Sequence, residues 1–251
     1  MSKFRAGDHV FVPAACLPDN VESPGAMYRT TVSETVRRSV RVDIPGERTS
    51  DWIASSRAHE LIGILIIRIG DYDSDYVLLD PLAKSLLQFC RLLMTDDFVW
   101  LREIRSLAEL TMAWREKALV SSHVLLVGHG NGSAVHFAVD GWTVAGAIAA
   151  ALDGAEVGAA SPKLLISLCC RSGYQALSSP LCQYPAFHSV IAPFHSVHGA
   201  IASQFCQTYL AQEMVEGLTT KVAFNRASQA VAGKTIFRLW QGGKLVAGPQ
   251  P

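Results

Sequence analysis

Three short apolar runs, separated by segments of helical character, constrain the fold of this chain more than any other feature. The runs cover residues 61–69 (LIGILIIRI), 123–127 (HVLLV) and 163–168 (KLLISL). Nearly continuous apolar runs of this length are typical of strands buried on both faces of a parallel sheet. Strands that alternate with helices favour a mostly parallel sheet with helices on both faces. We therefore predict an α/β fold.

Helical spacing and capping residues place helices between these strands. In residues 80–94 the apolar side chains recur on one helical face, with Asp80 as the predicted N-cap and Pro81 at the first helical position. Ser106 followed by Glu109 forms a capping-box pattern for a helix over 106–117. Further predicted helices cover 143–152, 197–216 and 219–231, further predicted strands cover 98–101, 187–192 and 235–241, and 171–185 is predicted as a long loop.

Residues 1–58 differ in character from the rest of the chain. They are rich in Val, Thr, Arg, Pro and Gly, and they contain short alternating runs. In one of these runs Val40, Val42 and Ile44 alternate with Arg41 and Asp43, and a period of two indicates a half-buried strand. We predict a small β-rich N-terminal module over 1–58 and an α/β domain over 59–251.

Composition excludes several classes of function. The chain has 251 residues, 49% of them hydrophobic, and a formal net charge of zero, so we expect no nucleic-acid partner and no membrane association. The N-terminus lacks the apolar run and cleavage site of a signal peptide, which favours a cytoplasmic protein. The six cysteines are scattered without a C-x-x-C pair, so we predict no disulfide framework, no metal site and no cofactor.

Two polar clusters directly follow two of the buried strands, and they carry the candidate chemistry. His129 stands between two glycines after the strand 123–127, and Cys170 follows the strand 163–168. Since parallel strands end at one edge of a sheet, both side chains should emerge together there. A histidine transfers protons near neutral pH, and a thiolate is a strong nucleophile. Side chains alternate along a strand, so Cys169 should point the other way, into the core.

At these residues the sequence resembles the caspase-like clan of cysteine proteases, most closely the metacaspases and the bacterial CHAT proteases. Residues 127–130 (VGHG) are similar to the His-Gly motif of the clan, and 170–173 (CRSG) are similar to the Cys-x-Ser-Gly of metacaspases. Residues 67–72 (IRIGDY) resemble the first-strand segment, and 190–230 resemble the C-terminal part of CHAT enzymes. The separation of 41 positions from His129 to Cys170 suits this order of motifs.

The resemblance implies a caspase-like fold and a cysteine endopeptidase that acts on a protein substrate through a Cys-His dyad. Cys170 would attack the scissile carbonyl, and His129 would protonate the leaving amine. The backbone N–H groups of Gly130 and Cys170 would form the oxyanion hole. No third catalytic residue is expected from the resemblance.

Specificity is where the sequence departs from the family. Metacaspases carry an Asp two residues before the cysteine, which favours Arg or Lys in the substrate, whereas this chain has Leu168. A preference for basic residues is therefore not predicted, and a preference for Asp has no support either. Asp140, Phe194, His195 and His198 fall in predicted loops near the strand ends, and we name them as candidate substrate-binding residues.

Two other functions remain open at this stage. A caspase-like fold can serve an inactive adaptor, in which residues 1–58 would bind a regulatory partner. Residues 124–132 (VLLVGHGNG) also resemble the strand and elbow of an α/β-hydrolase, although Gly130 occupies the place of the nucleophilic serine. For the protease, the resemblance to bacterial effectors suggests regulated cleavage of one partner in antiviral (anti-phage) defence.

Overall fold

The computed structural model describes residues 3–23, 25–46, 49–60, 62–71, 73, 75–155, 162–231 and 236–250. In chain order its strands are β1 (His9–Pro13), β2 (Met27–Val36), β3 (Ser39–Val42), β4 (Ile53–Ala54), β5 (Ile64–Ile69), β6 (Val99–Ile104), β7 (His123–Val127), β8 (Ala134–Phe137), β9 (Gly141–Val144), β10 (Lys163–Ser167), β11 (Phe187–Pro193), β12 (Phe237–Gln241) and β13 (Lys244–Ala247). Its α-helices are α1 (Tyr76–Leu93), α2 (Leu107–Lys117), α3 (Ala145–Asp153), α4 (Gln175–Gln183), α5 (Gly199–Leu210) and α6 (Thr220–Ala230).

A seven-stranded sheet forms the centre of the molecule, in the order β13-β12-β11-β10-β7-β5-β6. The pairs from β11 to β6 are parallel, and β12 and β13 add two antiparallel strands at one edge. Every residue of β5, β7 and β10 is buried, because helices cover both faces of these strands. The predicted α/β fold with a mostly parallel sheet is confirmed.

The helices form two layers, one on each face of this sheet. Side chains of α1, α5 and α6 pack on one face, and those of α2, α3 and α4 pack on the other. Successive residues of β5 serve the two layers in turn: Ile64 and Ile66 contact the first, and Leu65 and Ile67 contact the second. Helices therefore cover both faces of β5, which explains why its sequence is a nearly continuous apolar run.

A separate four-stranded antiparallel sheet, β1-β2-β3-β4, forms the N-terminal module. Val40, Val42 and Ile44 are buried in its own core, as their alternation predicts. The module also contacts the main domain, because Phe11 and Met27 lie in the cluster that contains α1, and Phe11 bridges to His59. The β-rich character of this module is confirmed, whereas the boundary between 58 and 59 stays a prediction.

Several predicted elements differ from the observed ones. Helix α1 begins at Tyr76, so Asp80 and Pro81 lie inside it; Asp75 takes the N-cap position, and Asp80 pairs with Lys84 at 2.9 Å. The predicted loop 171–185 is wrong, because α4 occupies most of it. The predicted helix 197–216 is an α-helix that continues as a π-helical turn, Ala211–Val215. Residues 143–144 belong to β9 rather than to a helix. Leu61, Tyr72 and Thr235 lie outside the described residues.

Candidate active site

The two predicted clusters follow neighbouring strands of the central sheet. Strands β7 and β10 pair in parallel, with Leu126 opposite Ser167 in the register. His129 follows the end of β7 and Cys170 follows the end of β10, so both leave the sheet at its carboxyl edge. The expected common edge is therefore observed.

Gly130 shows how closely the two loops approach each other. A Cβ atom placed on Gly130 would lie 2.5 Å from the carbonyl oxygen of Cys170 and 3.1 Å from the Cβ of Cys169. Real Cβ atoms do not come that close to a backbone oxygen, so only glycine fits this position without a shift. The loop that carries His129 thus lies directly against the backbone of the Cys170 loop.

Strands β8 and β9 form a hairpin that continues the His129 loop. Two hydrogen bonds, Asn131 N–H to Ala134 O and His136 N–H to His129 O, flank an antiparallel bridge between Gly130 and Val135. The N–H of Gly130 takes no part in this pair of bonds. It is directed away from the hairpin, as expected at a non-hydrogen-bonded position.

The Cys170 sulfur is half-buried and contacts the backbone of Val197. The N–H of Val197 donates to Sγ at 3.5 Å, and Sγ lies 3.8 Å from the Val197 carbonyl oxygen. Val197 lies between β11 and α5, so the sulfur joins the loop after β10 to the segment that leads into α5.

The turn that presents Cys170 is tightly hydrogen-bonded. Arg171 has a φ of 59°, in the left-handed region that non-glycine residues rarely adopt. Ser172 is buried, and its hydroxyl donates to Cys169 O at 2.7 Å. Gly173 N–H donates to Pro193 O at 2.8 Å, which ties the turn to β11. The surrounding bonds hold the strained residue next to the sulfur.

Cys169 is a core residue. Its side chain is fully buried in the cluster formed by α2, α3 and α4, and burial raises the pKa of its thiol to about 12. The prediction that Cys169 points away from Cys170 into the core is confirmed. A thiol in that environment is a poor nucleophile at neutral pH.

Asp75 contacts the candidate histidine, and sequence reasoning missed it. Its Oδ1 lies 2.9 Å from His129 Nε2, and its Oδ2 accepts the N–H of Asp71 at 2.8 Å. A carboxylate only accepts hydrogen bonds, so Nε2 carries a proton in this arrangement and Nδ1 is the nitrogen left for another partner. Asp75 stands 54 residues before His129 in the chain, and no local pattern marks it.

The candidate substrate-binding residues lie in different places. The carboxylate of Asp140 accepts the N–H of Leu107 at 2.7 Å, at the start of α2. That contact explains Asp140 without a substrate. The rings of Phe194 and Tyr174 pack together with their centroids 4.5 Å apart, and the guanidinium carbon of Arg238 lies 3.4 Å from the centroid of the Phe194 ring.

The two remaining candidates, His195 and His198, lie next to the Cys170 loop. The carbonyl of His195 accepts the Arg171 N–H at 3.2 Å, which connects this segment to the residue after Cys170. His198 is the N-cap of α5, and its Nδ1 accepts the N–H of Ala200. The segment from Phe194 to His198 therefore borders the candidate site.

Among the described residues, no group of three or more His, Cys, Asp or Glu side chains is placed to hold a metal ion. None of the described helices is both long enough and apolar enough to cross a bilayer.

A comparison with solved structures identifies the fold. The chain resembles a cysteine protease. One structure with a similar fold is a secreted C11 cysteine protease from Bacteroides thetaiotaomicron, solved in complex with an irreversible peptide inhibitor, with a TM-score of 0.51 and 8% sequence identity. The match covers 72% of this chain and 66% of that chain. No protein-family profile and no curated protein matches the sequence. The predicted caspase-like fold class is confirmed.

Proposed function

We propose that this chain is a cysteine endopeptidase in which Cys170 is the nucleophile and His129 is the acid–base. The observation that carries the proposal is the close approach of the two loops at Gly130, which brings the histidine and cysteine segments to one edge of a caspase-like sheet. An adaptor would not need a half-buried thiol on a loop that packs directly against a histidine-bearing loop. A serine hydrolase would need a serine where Gly130 stands.

The proposed reaction has two steps. His129 Nδ1 takes the Cys170 proton, and the thiolate attacks the scissile carbonyl carbon; the carbon–sulfur bond forms as electrons move to the oxygen. The carbon–nitrogen bond then breaks, and Nδ1 returns the proton to the leaving amine. Water then loses a proton to Nδ1 as its oxygen attacks the thioester carbon. The carbon–sulfur bond breaks, the carboxylic acid is released, and Nδ1 returns the proton to the Cys170 sulfur.

The backbone N–H groups of Gly130 and Cys170 would stabilise the negative oxygen of each tetrahedral intermediate. The Gly130 N–H is directed away from the β8–β9 hairpin, which supports this role. Preorganised donors of this kind are worth about 3 to 4 kcal/mol each in related oxyanion holes.

Asp75 would act as a positioning residue for His129. Its bond to Nε2 fixes the ring and leaves Nδ1 for the sulfur and the substrate. The positive charge that forms on the ring during catalysis would also be stabilised by the carboxylate. This adds a third residue to the expected dyad.

We further propose a protein substrate in the cytoplasm and a regulator that contacts the N-terminal module. Six free cysteines, four of them buried, suit a reducing compartment. The proposed similarity to metacaspases and CHAT proteases and the proposed role in anti-phage defence rest on the sequence motifs.

Arg37 and Arg38 are exposed on the N-terminal module. The double variant Arg37→Glu with Arg38→Glu therefore tests the docking of a regulator without uncovering the core.

The test is digestion of a peptide library by the wild type, Cys170→Ala and Cys169→Ala, read by mass spectrometry. We expect cleavage by the wild type and by Cys169→Ala, and a loss of at least about 1,000-fold in Cys170→Ala. Two results would overturn the proposal. One is cleavage by Cys170→Ala at the rate of the wild type. The other is no cleavage by any form together with no labelling of Cys170 by a peptide ketone.

A further inference from the structure

A groove of about 710 Å³ runs between the starts of α1 and α5, beside the candidate nucleophile. Val197 lines this groove and also contacts the Cys170 sulfur through its backbone. A peptide whose carbonyl carbon reaches that sulfur therefore has the groove next to it. Its volume falls in the range of sites that bury a small ligand.

Apolar side chains of α1 line one wall of the groove. Val77 is 83% exposed and Leu78 is 65% exposed, and both belong to the first turn of α1. Pro81 and Leu82 continue the same wall. Exposed apolar side chains that line a concavity are more informative than scattered ones, because they mark a surface that gains free energy when it is covered.

The polar groups of the groove are satisfied by one another. Ser85 and Ser203 hydroxyls lie 2.9 Å apart, and the Gln207 amide donates to them at 3.1 and 2.8 Å. The Nδ1 atom of His198 accepts the Ala200 N–H. No Asp, Glu, Lys or Arg is found among the described residues that line the groove.

We propose that this groove binds an uncharged, apolar side chain of the substrate residue whose carbonyl carbon Cys170 attacks. That side chain is the one nearest the sulfur, and Val197 joins the sulfur to the groove. A charged side chain would lose its hydration there without an opposite charge to replace it. The inference rests on the proposed protease function and names the substrate that the same site selects.

The experiment measures the rate at which peptide acyloxymethyl ketones label Cys170, by intact-protein and peptide mass spectrometry. Four ketones differ only in the last residue, which is Leu, Phe, Asp or Lys. We expect the Leu and Phe ketones to react at least about 10-fold faster than the Asp and Lys ketones. Faster labelling by the Asp or Lys ketone overturns the inference and leaves the protease proposal standing.

Labelling by no ketone, while iodoacetamide still alkylates Cys170, overturns the protease proposal itself, and the inference falls with it. The two failures are therefore distinguishable.

A charge placed on the groove wall supplies the second arm of the test. Leu78→Glu should slow the Leu ketone about 10-fold and raise the relative rate of the Lys ketone, because the new carboxylate pairs with a cation. Leu92→Glu is the matched control, since Leu92 is 72% exposed on the same helix and does not line the groove. It should react like the wild type. Equal ketone rates in Leu78→Glu and Leu92→Glu would contradict the placement of the side chain.

Discussion

At the scale of single residues, the environments of the cysteines separate one candidate nucleophile from the core thiols. Burial raises the pKa of Cys90 and of Cys169 to about 12, and it also raises the pKa of Cys206. Cys170 is half-buried and lies within reach of a backbone N–H. The thiolate is the reactive form, so the raised pKa values and the burial of Cys90, Cys169 and Cys206 disfavour reaction at those three sites, whereas the sulfur of Cys170 is accessible.

Alkylation should follow this order. Brief treatment of the folded protein with iodoacetamide at about pH 8 is expected to modify Cys170 and to spare Cys90, Cys169 and Cys206, because buried thiols stay protonated. Peptide mapping measures the modified fraction at each site. The same treatment in urea should modify all four of these cysteines. Modification of Cys169 ahead of Cys170 in the folded protein would contradict the assignment.

Asp75→Asn tests the contact with His129. We expect kcat to fall about 10-fold to 100-fold with little change in KM, since the carboxylate orients the histidine but does not contact the substrate. Asp73→Asn is the control, because Asp73 is an exposed carboxylate two residues earlier in the same segment. If the two variants have the same kcat, the contact between Asp75 and His129 has no catalytic role.

At the scale of elements, the sequence pattern predicts the strands well because each one is buried on both faces. The runs at 61–69, 123–127 and 163–168 contain β5, β7 and β10, and Ser106 is the N-cap of α2, with its hydroxyl accepting the Glu109 N–H. The Glu109 carboxylate accepts the N–H of Arg105 rather than that of Ser106, so the predicted capping box is half formed. Helix α4 was missed because it contains Pro180 and follows a Ser172-Gly173 turn that is typical of a loop. Asp75 was missed because only the tertiary fold brings it to His129.

The approach of the His129 loop to the Cys170 loop predicts opposite effects for two glycine substitutions. Gly130→Ala should abolish most activity and cost about 1 to 3 kcal/mol of stability, because its Cβ would meet the Cys170 carbonyl oxygen at 2.5 Å. Gly146→Ala should raise stability by about 0.5 to 1 kcal/mol, since Gly146 lies in α3 with open space around it. Urea denaturation and peptide cleavage measure both effects. A fully active Gly130→Ala would contradict the close packing of the loops.

At the scale of the whole molecule, a cluster of histidines lies at the sheet edge opposite to Cys170. His123, the first residue of β7, contacts Glu213 of the π-helical turn at 2.7 Å, and His59 contacts Met214 O at 3.3 Å. Burial lowers the pKa of His59 and of His188. Burial alone would raise the pKa of Glu213, but the charge and hydrogen bond of His123 outweigh it, and the pKa is lowered.

These shifts predict a protein that loses stability in mild acid. The pKa values of His59 and His188 are lower in the folded state than in the unfolded chain, so the unfolded chain binds more protons as the pH falls below the ordinary histidine pKa of 6.5. The free energy of unfolding therefore decreases over that range. Glu213 adds a further loss as the pH falls through the ordinary Glu value of 4.5. Tm should therefore be lower at about pH 5.5 than at about pH 7.5.

His59→Gln should flatten this dependence, because it removes one group that gains a proton on unfolding, whereas His9→Gln, at an exposed position, should behave like the wild type. Calorimetry at both pH values measures the slope. A His59→Gln variant with the slope of the wild type would contradict the role of the cluster.

The account as a whole depends on His129 and Cys170 acting on one peptide bond, and the crystal structure of a peptide-ketone adduct tests this most directly. We predict a bond from Cys170 Sγ to the ketone-derived carbon, with the adduct oxygen about 2.7 to 3.1 Å from the N–H groups of Gly130 and Cys170. His129 should face the bound peptide through Nδ1 while Nε2 keeps Asp75. An adduct on another cysteine, or His129 turned away from the peptide, would contradict the account.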